Sequence, residues 1–208
     1  MKKPTNTKKT KILAIGDVHG DTGLVKKLVE RAKKENVDLI ILAGDLTFAE
    51  RSTSYIVGPF IGAKKQVLLI PGNHESIATA DFLAQAYPNT KNIHGNGVKK
   101  NGLGIFGAGT ANMGVHQIPD SEIFNALKKG HDEIKDAEKK IMVTHMHPLG
   151  SKAEIFGFEG SLAIRKAIEY FTPDVLITAH IHEAGGLHEK IGNTLVINVS
   201  RKEKIFEI

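Results

Sequence analysis

Short apolar runs alternate along the chain with longer stretches in which apolar residues recur every three or four positions. Lys11–Ile15, Leu39–Ala43, Val67–Ile70, Ile141–Val143 and Val175–Thr178 are runs of the first kind. They are short and bounded by Gly, Pro or Asp, which predicts buried strands. Between them, Asp21 caps a helix that runs to about Glu35, with Leu24, Val25, Leu28, Val29 and Ala32 on one face. A helix is predicted near Ser54–Ala63, interrupted by Gly58-Pro59, and others over Ile77–Ala86 and Ser161–Phe171. Asp120–Lys139 also reads as helical, with a break at Gly130. Val98–Lys100 and Leu103–Phe106 flank Asn101-Gly102, a strong hairpin signal. Gly186–Lys190, Thr194–Asn198 and Lys204–Glu207 read as short closing strands. Gly107–Pro119 and Met146–Gly160 are glycine-rich, lack periodicity and follow strands. Loops of this length are often functional, and these two are expected to shape a substrate pocket.

Strands alternating with helices argue for α/β layers. The late hairpins add a second sheet, so the expected architecture is a sandwich of two sheets with helices outside. The chain has 208 residues, 41% hydrophobic and 25% charged, enough for one globular domain with its own core. Cysteine is absent, which excludes disulfides, thiolate zinc sites and cysteine nucleophiles. The apolar runs are far shorter than the roughly 20 residues of a bilayer span, and the start lacks the apolar stretch of a secretory signal. The expectation is a cytoplasmic protein with no membrane partner.

The formal net charge is +5, but residues 1–11 hold five lysines and no acid, which leaves the rest near neutral. The basicity is therefore expected to be a disordered tail over residues 1–10, ahead of one domain over 11–208. A near-neutral body also argues against nucleic acid as the partner.

The chemistry concentrates at the ends of the apolar runs. Ile12–Ile15 leads into Asp17 and His19, and Leu39–Ala43 into Asp45. Val67–Ile70 leads into Asn73, His74 and Glu75, Ile141–Val143 into His145, and Val175–Thr178 into His180 and His182. Carboxyl ends of strands are where open α/β sheets bind ligands. Singly, each residue has a plainer reading as a cap, a turn former or a buried histidine. Together, Asp17, His19, Asp45, Asn73, His145, His180 and His182 at the strand ends of one sheet are hard to explain as separate caps. The pairs Asp17/His19 and His180/His182 can point to one side of an extended segment. The set is too large for one tetrahedral ion and suits two divalent cations sharing a carboxylate. Oxygen and imidazole donors without thiolate suit Mn²⁺ first, with Fe, Zn, Ni or Co as alternatives. A two-ion clamp stabilises in-line phosphoryl displacement and activates water near neutral pH.

The series Asp-x-His, Gly-Asp, Gly-Asn-His-Glu, Thr-His and His-x-His resembles the calcineurin-like metallophosphoesterase superfamily. The resemblance extends from Lys11 to the C-terminus. Glu159–Arg165, His180–Ala184 and Ile191–Thr194 are most similar to the small archaeal and bacterial members related to the cyclic-nucleotide phosphodiesterase Icc. It implies a four-layer α/β/β/α sandwich, two mixed sheets flanked by helices, and hydrolysis of a phosphodiester or phosphomonoester, a nucleotide among the candidates. By the same resemblance, Asp17, His19 and His182 bind one ion and Asn73, His145 and His180 the other. Asp45 bridges, and His74 contacts the phosphate and protonates the leaving oxygen. The chain departs from the usual pattern at Ala179, where glycine is customary, and at Asn198-Val199-Ser200. Rival readings are a nuclease of the same superfamily and a non-catalytic scaffold on the same fold. His147 is expected to line the pocket or cap its loop, and His94, His116, His131 and His188 to sit on the surface.

Overall fold

The computed structural model describes residues 9–208, so the tail expected over residues 1–10 lies outside them up to residue 8. Strands β1 (Lys11–Ile15), β2 (Leu39–Ala43), β3 (Gln66–Ile70) and β4 (Thr90–Asn92) pair in parallel. Strand β11 (Lys204–Glu207) runs antiparallel to β1, with Ile12 opposite Phe206. The second sheet opens with the hairpin β5 (Gly97–Lys100) and β6 (Leu103–Ala108). It continues in parallel through β7 (Lys139–Thr144), β8 (Val175–Thr178) and β10 (Thr194–Asn198), and ends on antiparallel β9 (His188–Ile191). Thr10 is buried and exchanges backbone hydrogen bonds with Ile208 at 2.9 and 3.2 Å. Backbone pairing among the described residues is therefore present at Thr10.

The period of two along each strand sorts its residues between layers. Ile12, Ala14, Leu39, Ile41, Leu68 and Ile70 face the second sheet and meet Ile105, Ile141, Val143, Ile177 and Ile197. Their neighbours Leu13, Ile15, Ile40, Leu42, Val67 and Leu69 face the helices α1 (Thr22–Lys34), α2 (Gly58–Gly62) and α3 (Ile77–Ala86). On the far side, Phe106, Met142, Leu176 and Val196 pack under α4 (Asp120–Asp132) and α5 (Leu162–Phe171). The result is the expected α/β/β/α sandwich. Strands covered on both faces are apolar throughout, which is why they were legible as runs.

The structure departs from the sequence reading in several places. Gly58-Pro59 does not interrupt a helix but begins α2, because proline is tolerated in a first turn, where its missing N–H is no loss. Gly130 does not break α4: a Cβ there would lie 2.7 Å from the Asn96 carbonyl oxygen, so glycine lets the helix press onto the β5–β6 hairpin. Strand β4 escaped prediction because it is polar. Its buried Asn92 is held by side-chain bonds, Nδ2 donating to Asp81 at 2.8 Å and Oδ1 accepting from the His94 amide at 3.0 Å. Among the described residues, no helix is long and apolar enough to cross a membrane.

Candidate metal centre

The strand ends that carry the chemistry belong to two sheets, not one. Asp17, Asp45 and Asn73 follow β1, β2 and β3, whereas His145 and His180 follow β7 and β8. The sheets meet at this edge through close backbone approach. A Cβ on Gly16 would lie 2.4 Å from the Cβ of Ala179, so Ala179, where the resemblance leads one to expect glycine, fits only because Gly16 faces it. Nor are the i,i+2 pairs extended. Asp17, His19, Asp45 and His180 have φ of 56°, 49°, 49° and 73°. Left-handed backbone at non-glycine residues costs about 1–3 kcal/mol each and collects at functional sites, because the turn aims the side chain.

Three groups form, Asp17/His19/His182, His19/Asp45/His74 and Asp45/His145/His180, each with its donor atoms within 4.8 Å of one another. His19 Nε2 lies 3.1 Å from His182 Nε2, 3.6 Å from Asp45 Oδ2 and 3.9 Å from Asp17 Oδ1. His182 Nε2 is 3.6 Å from Asp17 Oδ1. On the other side, the His145 Nδ1–H donates to the Ala43 carbonyl at 2.9 Å. That bond turns Nε2 toward Asn73 Oδ1 at 3.1 Å and Asp45 Oδ1 at 3.3 Å. The His145 and His180 rings stand 5.0 Å apart. Asp45 therefore offers one oxygen to each side. All seven expected ligands and His74 converge here.

The donor set fits divalent cations. Asp17 is fully buried, its Oδ2 accepts from the His180 amide at 3.0 Å, and its Oδ1 has no hydrogen-bond partner. An unsatisfied buried carboxylate oxygen is costly unless something positive faces it. Burial by itself would raise the Asp17 and Asp45 carboxyls, but neighbouring histidines, His182 for Asp17 and His145 for Asp45, hold both below the usual range. Burial would likewise lower His145, but the Asp45 carboxylate overrides it and pushes the imidazole up to about 10. Burial, with the positive His145 ring beside it, pushes His180 down to about 4. The carboxylates thus draw positive charge into the cluster, as a cation site requires.

Glu75 and Phe48 carry parts of the site that the sequence reading left unassigned. Glu75 is buried and accepts from the amides of Gly72 (2.6 Å), Thr47 (3.0 Å) and Leu46 (3.1 Å). It ties the loop after β3 to the loop after β2. Its position in Gly-Asn-His-Glu was the only available signal. Phe48 lies 5.3 Å from the His74 ring and 6.0 Å from the His19 ring.

The other histidines divide. His147 is buried and caps its loop, its Nε2–H donating to the Phe158 carbonyl at 3.1 Å. His188 is exposed, as expected. His94 and His131 are half-buried instead of fully on the surface. His94 Nδ1 accepts from the Gly109 amide at 3.0 Å, and the His131 ring stacks 4.6 Å from Phe171. His116 is half-buried, 3.7 Å from Glu50.

Residues 10–184 match the family model of the calcineurin-like phosphoesterases. Among solved structures, the chain is similar to TT1561 of Thermus thermophilus, with a TM-score of 0.75 and 23% identity, over 92% of this chain and 89% of that one. It is also similar to an archaeal protein described as a novel phosphodiesterase, with a TM-score of 0.54 and 16% identity over 96% and 99% of the two chains. A dimetal phosphatase from Danio rerio gives a TM-score of 0.55 and 10% identity over 91% and 86%. At such identities the likeness is one of fold. No curated protein sequence matches the chain.

Proposed function

The chain belongs to the calcineurin-like phosphoesterase family, and on that premise we propose that it hydrolyses a small phosphodiester or phosphomonoester with two divalent cations. The observation that carries this reading is the position of Asp45, with Oδ1 3.3 Å from His145 and Oδ2 3.6 Å from His19. One carboxylate at the junction of two histidine clusters is the arrangement of a shared ligand. Asp17, His19 and His182 would hold one cation, Asn73, His145 and His180 the other, and Asp45 both. When bound, the cations supply Lewis acidity and a nucleophile available near neutral pH.

The residues of the chain supply the rest. His145 is oriented by Ala43, since a hydrogen bond on one ring nitrogen aims the other. His74 follows Asn73 directly, and its amide donates to Asp45 Oδ1 at 3.0 Å, which fixes its backbone beside the cluster. Its Nδ1 is buried, and its Nε2 lies 4.0 Å from Asp45 Oδ2. Nε2 would then contact the phosphate and hand a proton to the leaving oxygen as its bond to phosphorus breaks and water's oxygen takes its place. The complete ligand set and the retained His74 favour catalysis over a scaffold role.

The test is a panel of phosphoesters offered to metal-stripped protein with Mn²⁺, Ni²⁺, Zn²⁺ and Mg²⁺, with metal content read by elemental analysis. Turnover with two ions per chain supports the proposal. One ion per chain at saturation, or no turnover with any metal, rejects it.

A further inference from the structure

Two cavities meet at the metal centre. One, of about 300 Å³, is lined by His19, Asp45, Asn73, His74, His180 and His182, with Phe48 as its apolar member. The other, of about 340 Å³, shares His180 and His182 but is walled by Met113, Gly114, Phe158 and Ile181, with Glu183 beside them. Each is about the smallest size of small-molecule sites, with room for a ring and not for a macromolecular surface. Phe48 and Phe158 are 47% and 46% exposed. Both rings therefore keep open surface on the cavities they line, where a bound group can contact them.

Neither ring sits on a loose segment. The loop bearing Phe158 is clasped by buried His147 through the Phe158 carbonyl. The loop bearing Phe48 is pinned by Glu50, which accepts from the Ser76 amide and hydroxyl at 2.8 Å each and from the Thr79 hydroxyl at 2.5 Å. The loop bearing Met113 lies directly on Asn73, since the His116 amide donates to the Asn73 carbonyl at 3.1 Å and a Cβ on Gly114 would stand 2.6 Å from Asn73 Nδ2. Rigid aromatic surfaces bind planar groups at small entropic cost.

A phosphorus atom held between His74 and the His180/His182 pair would have one apolar wall on each side. We infer that Phe48 and the Met113–Phe158 wall are two substituent subsites, an inference that rests on the phosphoester reading above. Phe48, beside His74, receives a planar leaving group. The Met113–Phe158 wall receives the group that stays on phosphorus. The ligand they fit is a phosphodiester with a planar apolar group on each ester oxygen, and Glu183 disfavours a substituent bearing further negative charge.

Phosphinates test this without catalysis, because their carbon–phosphorus bonds resist hydrolysis. Diphenyl-, methylphenyl- and dimethylphosphinate are titrated calorimetrically into the full chain loaded with Mn²⁺. Each phenyl group is expected to tighten binding about tenfold, the scale of one ring's burial and stacking. Phe48→Ala and Phe158→Ala should each reduce the diphenyl-to-dimethyl affinity ratio by about tenfold, the double variant should abolish it, and Phe48→Tyr should preserve it. Equal affinity for all three phosphinates, no binding of any, or an unchanged ratio in both single variants would overturn the inference. If the ratio behaves as expected while no phosphoester is turned over with any metal, the hydrolase reading falls and the two subsites stand.

Discussion

Glu75 accepts the Gly72 amide at 2.6 Å, through the same oxygen that the Leu46 amide reaches at 3.1 Å. Two loops that deliver Asp45 and Asn73 are thereby tied to one buried carboxylate. Burial pushes that carboxyl up, while the Gly72, Thr47 and Leu46 amides favour its charged form. Glu75→Gln would present an amide N–H₂ to groups that are themselves donors. We expect a loss of stability of about 1–3 kcal/mol and a fall in metal affinity of about 10–100-fold. Chemical denaturation and competition with a chelator measure the two effects. Unchanged metal affinity would reduce Glu75 to a purely structural tie.

Asp45 faces both histidine groups, whereas Asp17 faces only His19 and His182. Asp45→Asn should therefore weaken both cation sites together. Asp17→Asn should mainly empty one, its remaining oxygen still able to accept from the His180 amide. Elemental analysis after dialysis distinguishes the cases. Retention of one full equivalent in the Asp45 variant would remove it as the shared ligand.

On the proposed reading His74 acts as the proton donor, beside the seven ligands. His74→Ala is expected to keep the fold and the metals but slow esters of poor leaving groups by about 10²–10⁴-fold, the usual range for a positioned general acid. Nitrophenolate leaves with little help, so nitrophenyl esters should suffer less. The pair of rates, with metal content checked, decides: equal losses on both would leave His74 a phosphate-binding role alone.

Glu50 is held well below the ordinary carboxylate value, at about 2, by the Thr79 hydroxyl first and then by the Ser76 amide and hydroxyl. A depressed folded-state value means that stability is fully present above the unfolded value near 4.5 and is lost as pH falls toward 2. The carboxylate is about one-third exposed, so solvent screening trims the effect. Glu50→Gln should cost about 1 kcal/mol at neutral pH. The stability gap between the two proteins in denaturation curves should shrink steadily as pH drops from 5 toward 2. A gap that persists there would assign the loss to packing instead of charge.

Every expected ligand lies at or beyond Asp17, and backbone pairing is present from Thr10 onward. Deleting residues 1–8 should leave turnover on a nitrophenyl diester within about twofold. Extending the deletion through Thr10 removes its bonds to Ile208 and should lower the melting temperature by a few degrees, the scale of about 1 kcal/mol in a chain of this length. A large loss of turnover in the shorter deletion would mean that the lysines reach the substrate.

Much of the molecule was legible in the chain because its central strands are covered on both faces. Leu39–Ala43 is buried at every position, so composition alone marks it as a strand. The Asp21 cap and the Asn101-Gly102 turn are local chemistry and could be read locally. The ligand types were legible too, because Asp, Asn and His recur just after such strands. Polar β4 was not, since its pairing depends on β3 and its buried Asn92 on Asp81, both distant in sequence. The sequence also could not say that these strand ends belong to two sheets. That division is decided by which apolar faces meet between the layers, and it alone brings Ala43 of one sheet within hydrogen-bond reach of His145 in the other. The partial burial of His94 and His131 and the half-exposure of Phe48 and Phe158 likewise depend on neighbours contributed by distant segments. Periodicity and local chemistry determined the elements and the donor atoms, whereas packing between layers determined where those atoms meet and which apolar rings stand beside them.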